Sequence, residues 1–150
     1  MKAGLERELA SRYLDRAAAG ARSVGLSGVE LREIDESRAR RVEDRRAEEA
    51  KALAAIAGPG ARLVVLDERG KPISSELFAA DIGRARDGGE ASYVVALGGP
   101  DGFDPAFRAT AALVVAFGAM TWPHQLVRVM LSEQIYRACS ILAGHPYHRE

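Results

Sequence analysis

The sequence predicts one α/β domain spanning residues 1–150, a mainly parallel sheet flanked by helices. Three observations predict it. The runs "RLVVLD", "ASYVVALGG" and "ALVVAFG" are short, continuous and apolar, as in strands buried on both faces of a parallel sheet. Segments with helical periodicity alternate with them, which is the order of an α/β chain. A chain of 150 residues with 47% apolar content is also long enough for one sizeable core.

The elements follow in order. Residues 3–19 read as an amphipathic helix with Leu5, Leu9, Tyr13, Leu14 and Ala17 on one face. "GVELREID" alternates like a strand, with Val29 and Leu31 on one side. "SRARRVEDRRAEEAKALAAIAGPG" predicts a helix capped near Ser37 and stopped by Gly58-Pro59-Gly60. After the strand "RLVVLD", "ERGKPIS" reads as a turn. "SSELFAADIGRARDGG" predicts a helix capped by Ser74 or Ser75 and closed by Gly88-Gly89. The strand "ASYVVALGG" runs into the loop "GGPDGFDP", and a short helix begins near Pro105. The third strand, "ALVVAFG", leads through "AMTWP" into the long helix "HQLVRVMLSEQIYRACSILAG". No internal repeat or low-complexity segment interrupts this order.

Composition excludes several classes. Equal numbers of acidic and basic residues, 21 each, argue against nucleic-acid binding by bulk charge, so an RNA partner would have to be selected by local shape. The dense mixed run around Glu43, Arg46, Glu48 and Lys51 has the spacing of a solvated helix face. The lone Cys139 precludes an internal disulfide and suits a reducing compartment. The charged N-terminal segment is unlike a secretory signal, and "AALVVAFGAM" is about half the length of a membrane span. A cytoplasmic location is expected.

In open parallel sheets, ligands bind where loops leave the carboxyl ends of the strands. Three such loops follow Asp67, Leu97 and Gly118. "GGPDGFDP" is neither a phosphate-binding Walker loop nor a dinucleotide fingerprint, and on spacing alone it reads equally as a ligand loop or a tight turn. Trp122 reads as either a core aromatic or a lid over a ligand, and His124, at the start of the last helix, as either a neutral cap or a chemical residue. Arg128 suits an anchor for the tail or for RNA phosphate, or a surface or interface ion pair. Leu126, Val127, Met130, Leu131, Ile135, Ile141 and Leu142 make too much of the last helix apolar for a single buried face, which points to a homodimer contact. Glu133 and Arg137, four apart, predict a modest pair of about 0.3 to 0.5 kcal/mol. The chain then closes on "HPYHRE", dense in chemistry for a terminus.

Taken together, "MTWPHQLVRVMLSEQIYRACSILAGHPYHRE", "LVVLDERGKPISSELFA" and "VALGGPDGFDP" resemble the RlmH (YbeA-like) ribosomal RNA methyltransferases of the SPOUT superfamily. The resemblance runs from about Lys2 to Glu150. It implies an α/β fold with a C-terminal trefoil knot, a homodimer, and S-adenosyl-L-methionine as methyl donor. It also implies N3 of a pseudouridine in 23S rRNA, on the assembled ribosome, as the target. The cofactor residues it implies are Leu66, Gly98, Phe117, Gly118, Ala119, Met120, Thr121 and Trp122.

The same resemblance makes the tail part of the site. Within it, His148 suits a base by its ordinary pKa, Arg149 a phosphate or imide-anion contact, and Tyr147 stacking on or hydrogen bonding to the base. No metal and no membrane are expected. His145 and His148, three apart without a cysteine partner, make a poor ligand set. Family members begin with an apolar strand and a glycine turn ahead of "KAGLERELASRYLDR", and here Met1 falls where that turn should be. That strand is expected to be missing, through an upstream true start or a shortened chain. The alternative function is a noncatalytic RNA- or ribosome-binding protein, or an inactive shortened homologue.

Overall fold

The computed structural model describes residues 4–149. Ala3, at the expected start of the first helix, and Glu150, at the end of the tail motif, lie outside them. The element order is α1 (Leu5–Ala21), a 3-10 turn (Arg22–Val24), α2 (Val42–Ala57), β1 (Ala61–Pro72), α3 (Ser75–Asp87), β2 (Ser92–Leu97), α4 (Pro105–Ala109), β3 (Leu113–Ala116) and α5 (His124–Ala143). The chain divides into two compact units. One comprises residues 1–32, 74–88 and 122–150, and the other residues 33–73 and 89–121.

The second unit holds the sheet, of order β2-β1-β3, with both pairings parallel. The three apolar runs form its strands because β-branched side chains pack well on a pleated surface covered on both sides. Val64 and Val65 of the central strand are almost completely buried, each contributing about 1.5 to 3 kcal/mol by leaving water. Val65, Ala96, Phe103 and Phe107 form a buried cluster, with Ala50 and Leu53 of α2 packed against it. The Phe103 and Phe107 rings stack with centroids 5.8 Å apart.

The predicted turn "ERGKPIS" is a local irregularity within a longer strand. Val115 pairs with both Leu66 and Lys71, so residues 67–70 bulge out before Lys71 and Pro72 rejoin β3. Asp67 shapes the bulge by accepting a hydrogen bond from the Arg69 amide at 2.9 Å. On the return, Gly70 lies so close to β3 that a Cβ there would stand 2.7 Å from backbone atoms of Val114 and Val115.

In the first unit, α5 packs along α1 and α3. The buried residues of α1 are Ala10, Ala17 and Ala21, with Tyr13 and Leu14 partly covered; Leu5 and Leu9, expected on that face, are exposed. Small side chains let the helices approach closely, and the first turn of α1 extends beyond that cover. α3 begins where the sequence places it: Ser74 accepts from the Leu77 amide at 3.1 Å, satisfying one of the free amides of the first turn.

One expected strand and one helix start are corrected. "GVELREID" forms no strand. Its alternation suits a half-buried strand, but no neighbouring chain among the described residues supplies ladder hydrogen bonds, and Leu31 stays 51% exposed. The second helix starts at Val42 instead of after Ser37. Ser37 caps nothing there. Its hydroxyl donates to Glu48 and accepts from the Ala39 amide, while its own amide donates to Glu49 at 3.1 Å. Those contacts fold the preceding segment back along α2.

Candidate functional site

The parallel register brings the expected cofactor segments together in the second unit. Leu66 pairs with Leu97 on one side and Val115 on the other, so the bulge, the glycine loop and the Phe117 segment all leave the sheet at the same end. Strand carboxyl ends are where open α/β sheets bind ligands. Gly98 is packed tightly, since a Cβ there would meet the Phe103 ring at 3.2 Å. Gly99 and Gly102 close the loop by a 3.0 Å amide-to-carbonyl hydrogen bond. Gly118 takes a φ of 93°, a conformation other residues avoid. Ala119 and Met120 are exposed beyond it, and the Thr121 hydroxyl donates to Glu68 at 3.3 Å.

An arginine clamp, invisible in the sequence, fixes the glycine loop. Arg45 donates to both carboxylate oxygens of Asp101, at 2.7 and 3.2 Å, and Arg46 donates to the Asp101 carbonyl at 2.7 Å. Arg45 is further oriented by the carbonyls of Ala39 and Arg40. The Arg45 guanidinium holds the Asp101 carboxyl below the usual carboxylate range, chiefly through the hydrogen bond. Glu49, buried at 9% exposure, lies over Gly99, where a Cβ would meet its Oε1 at 3.1 Å. The mixed charge run therefore does more than solvate a helix face. Fifty-five or more residues separate the clamp's partners, so no local spacing could have disclosed it. Arg108 similarly pairs with Asp67 of the bulge at 3.4 Å.

Trp122, 40% exposed, and the tail belong to the first unit. The tail leaves α5 through Gly144, whose φ of 69° ends the helix. Tyr147 donates its hydroxyl proton to Glu133 at 3.0 Å, its ring lies 4.5 Å from that of Tyr136, and the Arg137 guanidinium sits 4.9 Å from its centroid. Burial first, and then the bond to Glu133, push its phenol up to about 12. His148 faces Arg137 through Nδ1 at 3.0 Å and Glu76 of α3 through Nε2 at 2.7 Å. The hydrogen bond to His148 is the main cause that lowers the Glu76 carboxyl below its ordinary value. Arg149 is exposed.

His145 accepts from the Tyr147 amide at 3.2 Å, which ties the turn together. His124 is the exposed first residue of α5 and caps nothing, because Pro123 occupies the cap position without a side-chain bond. Among the described residues, no group of three His, Cys, Asp or Glu side chains is arranged to hold a metal ion, and no helix is long and apolar enough to cross a membrane.

Residues 1–148 match the family model described as "Predicted SPOUT methyltransferase". Among curated proteins, the chain is 56% identical over 148 residues to a protein of Beijerinckia indica named "Ribosomal RNA large subunit methyltransferase H", covering 99% of this chain and 92% of that protein. Proteins of the same name from Brucella anthropi and Sinorhizobium fredii are 54% and 53% identical over 149 residues, each alignment covering 99% of this chain and 93% of the relative. A full-length family match and this identity, on a parallel sheet whose loops converge at the strand ends, mean that the chain belongs to the SPOUT methyltransferase family.

Proposed function

We propose that this chain is a cytoplasmic, homodimeric methyltransferase that uses S-adenosyl-L-methionine to methylate N3 of a pseudouridine in 23S rRNA on the ribosome, through one domain of residues 1–150 closed by a C-terminal trefoil knot. The observation that carries the reading is the convergence of Leu66, the glycine loop and the Phe117 segment at one end of the sheet. The name that the relatives carry supports the rRNA substrate. Apolar surface at Leu5, Leu9 and Leu126, exposed in the single chain, supports a dimer.

The residues present fit the cofactor. Adenine is recognised well by main-chain amides and carbonyls between apolar walls; Gly118 and Ala119 leave the backbone approachable beside the side chains of Leu66 and Phe117, and Gly98 lets the loop close against the Phe103 ring. Met120, Thr121 and Trp122 extend the same segment. The cofactor supplies a methyl group already activated by its sulfonium. What remains for the protein is to hold the target nitrogen in line and help remove the N3 proton. The arginine clamp keeps the glycine loop in one conformation, so binding carries less ordering cost. Tyr147, His148 and Arg149 form the substrate-facing tail, with exposed Arg149 suited to a phosphate or to the developing imide anion.

Calorimetric titration with S-adenosyl-L-methionine, alongside methyl transfer to ribosomes lacking the modification, tests this function. Removal of Tyr147 to Glu150 is expected to abolish transfer while leaving cofactor affinity largely intact; normal turnover by that truncation refutes the assignment of the tail. A folded chain that binds no cofactor instead supports a noncatalytic RNA- or ribosome-binding role.

A further inference from the structure

Six side chains from two helices and the tail meet in one connected polar and aromatic group. Arg137 is the hub. It donates to Glu133 at 2.9 and 2.5 Å, reaches Nδ1 of His148 at 3.0 Å and lies against the Tyr147 ring. Glu133 also receives the Tyr147 hydroxyl proton. Glu76, in the first turn of α3, closes the group on the far nitrogen of His148. Tyr136 backs the Tyr147 ring. These contacts leave the exposed Arg149 as the next residue along the chain.

We propose that Glu76, Glu133 and Arg137 are positioning residues that lock the tail by holding Tyr147 and by fixing His148 as the neutral Nε2–H tautomer, so that Arg149 is presented to substrate from a rigid anchor. This rests on reading the tail as the substrate-facing edge. A guanidinium carries only donors, so Nδ1 of His148 must accept and hold no proton. The proton then sits on Nε2, where the Glu76 carboxylate accepts it. A second proton at Nδ1 would set donor against donor. His148 in this arrangement therefore has no lone pair to offer as a general base, and the phenol of Tyr147 is likewise engaged with Glu133. Both rings act through geometry, and a displacement of about 1 Å at a reacting centre costs about a hundredfold in rate.

Two measurements test the lock. Nitrogen-15 NMR of the full chain is expected to show His148 with its proton on Nε2, and Glu76→Ala and Arg137→Met are expected to release it into a mixture of tautomers. In methyl transfer, Glu76→Ala and Arg137→Met should lower kcat by about a hundredfold and leave S-adenosyl-L-methionine affinity within about twofold. Glu76→Gln, whose amide oxygen still accepts from Nε2, should recover most of the loss. Parent-like turnover by Glu76→Ala, or a His148 proton on Nδ1 in the parent, overturns the proposal. If the folded parent transfers no methyl group, the functional reading fails, and the tautomer measurement still decides whether the lock exists.

Discussion

Replacing Gly70 by alanine is expected to destabilise the sheet unit through a collision with backbone. The added Cβ would stand 2.7 Å from the Val114 carbonyl carbon and oxygen and from the Val115 carbonyl carbon, closer than the 3.0 Å that real Cβ atoms respect. Relief to ordinary contact requires β3 or the bulge to retreat by about 0.7 Å, and no rotamer change can supply it because all three atoms are main chain. Overpacking typically costs about 1 to 3 kcal/mol, and a rigid obstacle puts this substitution at about 2 to 3. For a chain of this size that corresponds to a fall in melting temperature of about 4 to 12 °C.

Urea unfolding of Gly70→Ala against the parent reads the effect as a lower midpoint at unchanged slope. Gly20→Ala supplies a control of opposite sign: Gly20 lies within α1 with nothing within 4 Å of the added carbon, so alanine should stabilise the helix by about 0.5 to 1 kcal/mol. A Gly70→Ala chain that unfolds at or above the parent's midpoint would sink the argument that backbone packing demands glycine there.

Two further outcomes follow from the same contacts. Asp101→Asn and Arg45→Met should each weaken S-adenosyl-L-methionine binding by about tenfold, as expected when a charged, two-point hydrogen bond is removed; the double exchange Arg45→Asp with Asp101→Arg should recover part of it, and unchanged calorimetric affinity in both single variants would dismiss the clamp. Tyr147, with its phenol raised from 10.0 to about 12, contributes stability that is complete below pH 10 and lost as the pH rises through about 12. Ultraviolet titration of the parent against Tyr147→Phe should place the missing tyrosine at the higher value, and an ordinary midpoint would contradict its burial against Glu133.

The sheet was legible because continuous β-branched runs such as "RLVVLD" carry their environment in their composition: a segment apolar on both faces must be covered on both. Ser74 was legible for a local reason, as a hydroxyl three residues ahead of a free helix amide. The failures are nonlocal. Val29 and Leu31 alternate correctly for a strand, but a strand exists only through its neighbour, and alternation does not say whether one is present. Ser37 has the residue type of a cap, yet Glu48 and Glu49, more than ten residues along, compete for it and win. "ERGKPIS" reads as a turn because Gly70 and Pro72 are turn residues by type, while the return of Lys71 and Pro72 to the sheet depends on Val115 and Ala116, far along the chain.

The pair Glu133 and Arg137 shows how far such nonlocal contacts can change the meaning of a motif. Four-residue spacing on a helix suggests a few tenths of a kcal/mol, because an exposed pair competes with water for both partners. Here the Arg137 and Glu133 side chains are only 25% and 17% exposed, so water screens them less than spacing implies. Each also holds a tail ring, and Glu76, 72 residues before His148, completes the arrangement. Loss of either member would leave the other partly buried beside an unsatisfied ring nitrogen or phenol, so the cost must include the unpaired partners as well as the pair. Two histidines and a tyrosine in six residues suggest free acid/base groups, but Tyr147 and His148 have their polar atoms engaged and His145 holds the turn. Density of reactive residue types at a chain end is therefore also what anchoring that end requires, and Arg149, exposed beyond the anchored rings, is the residue the proposed lock leaves to meet substrate.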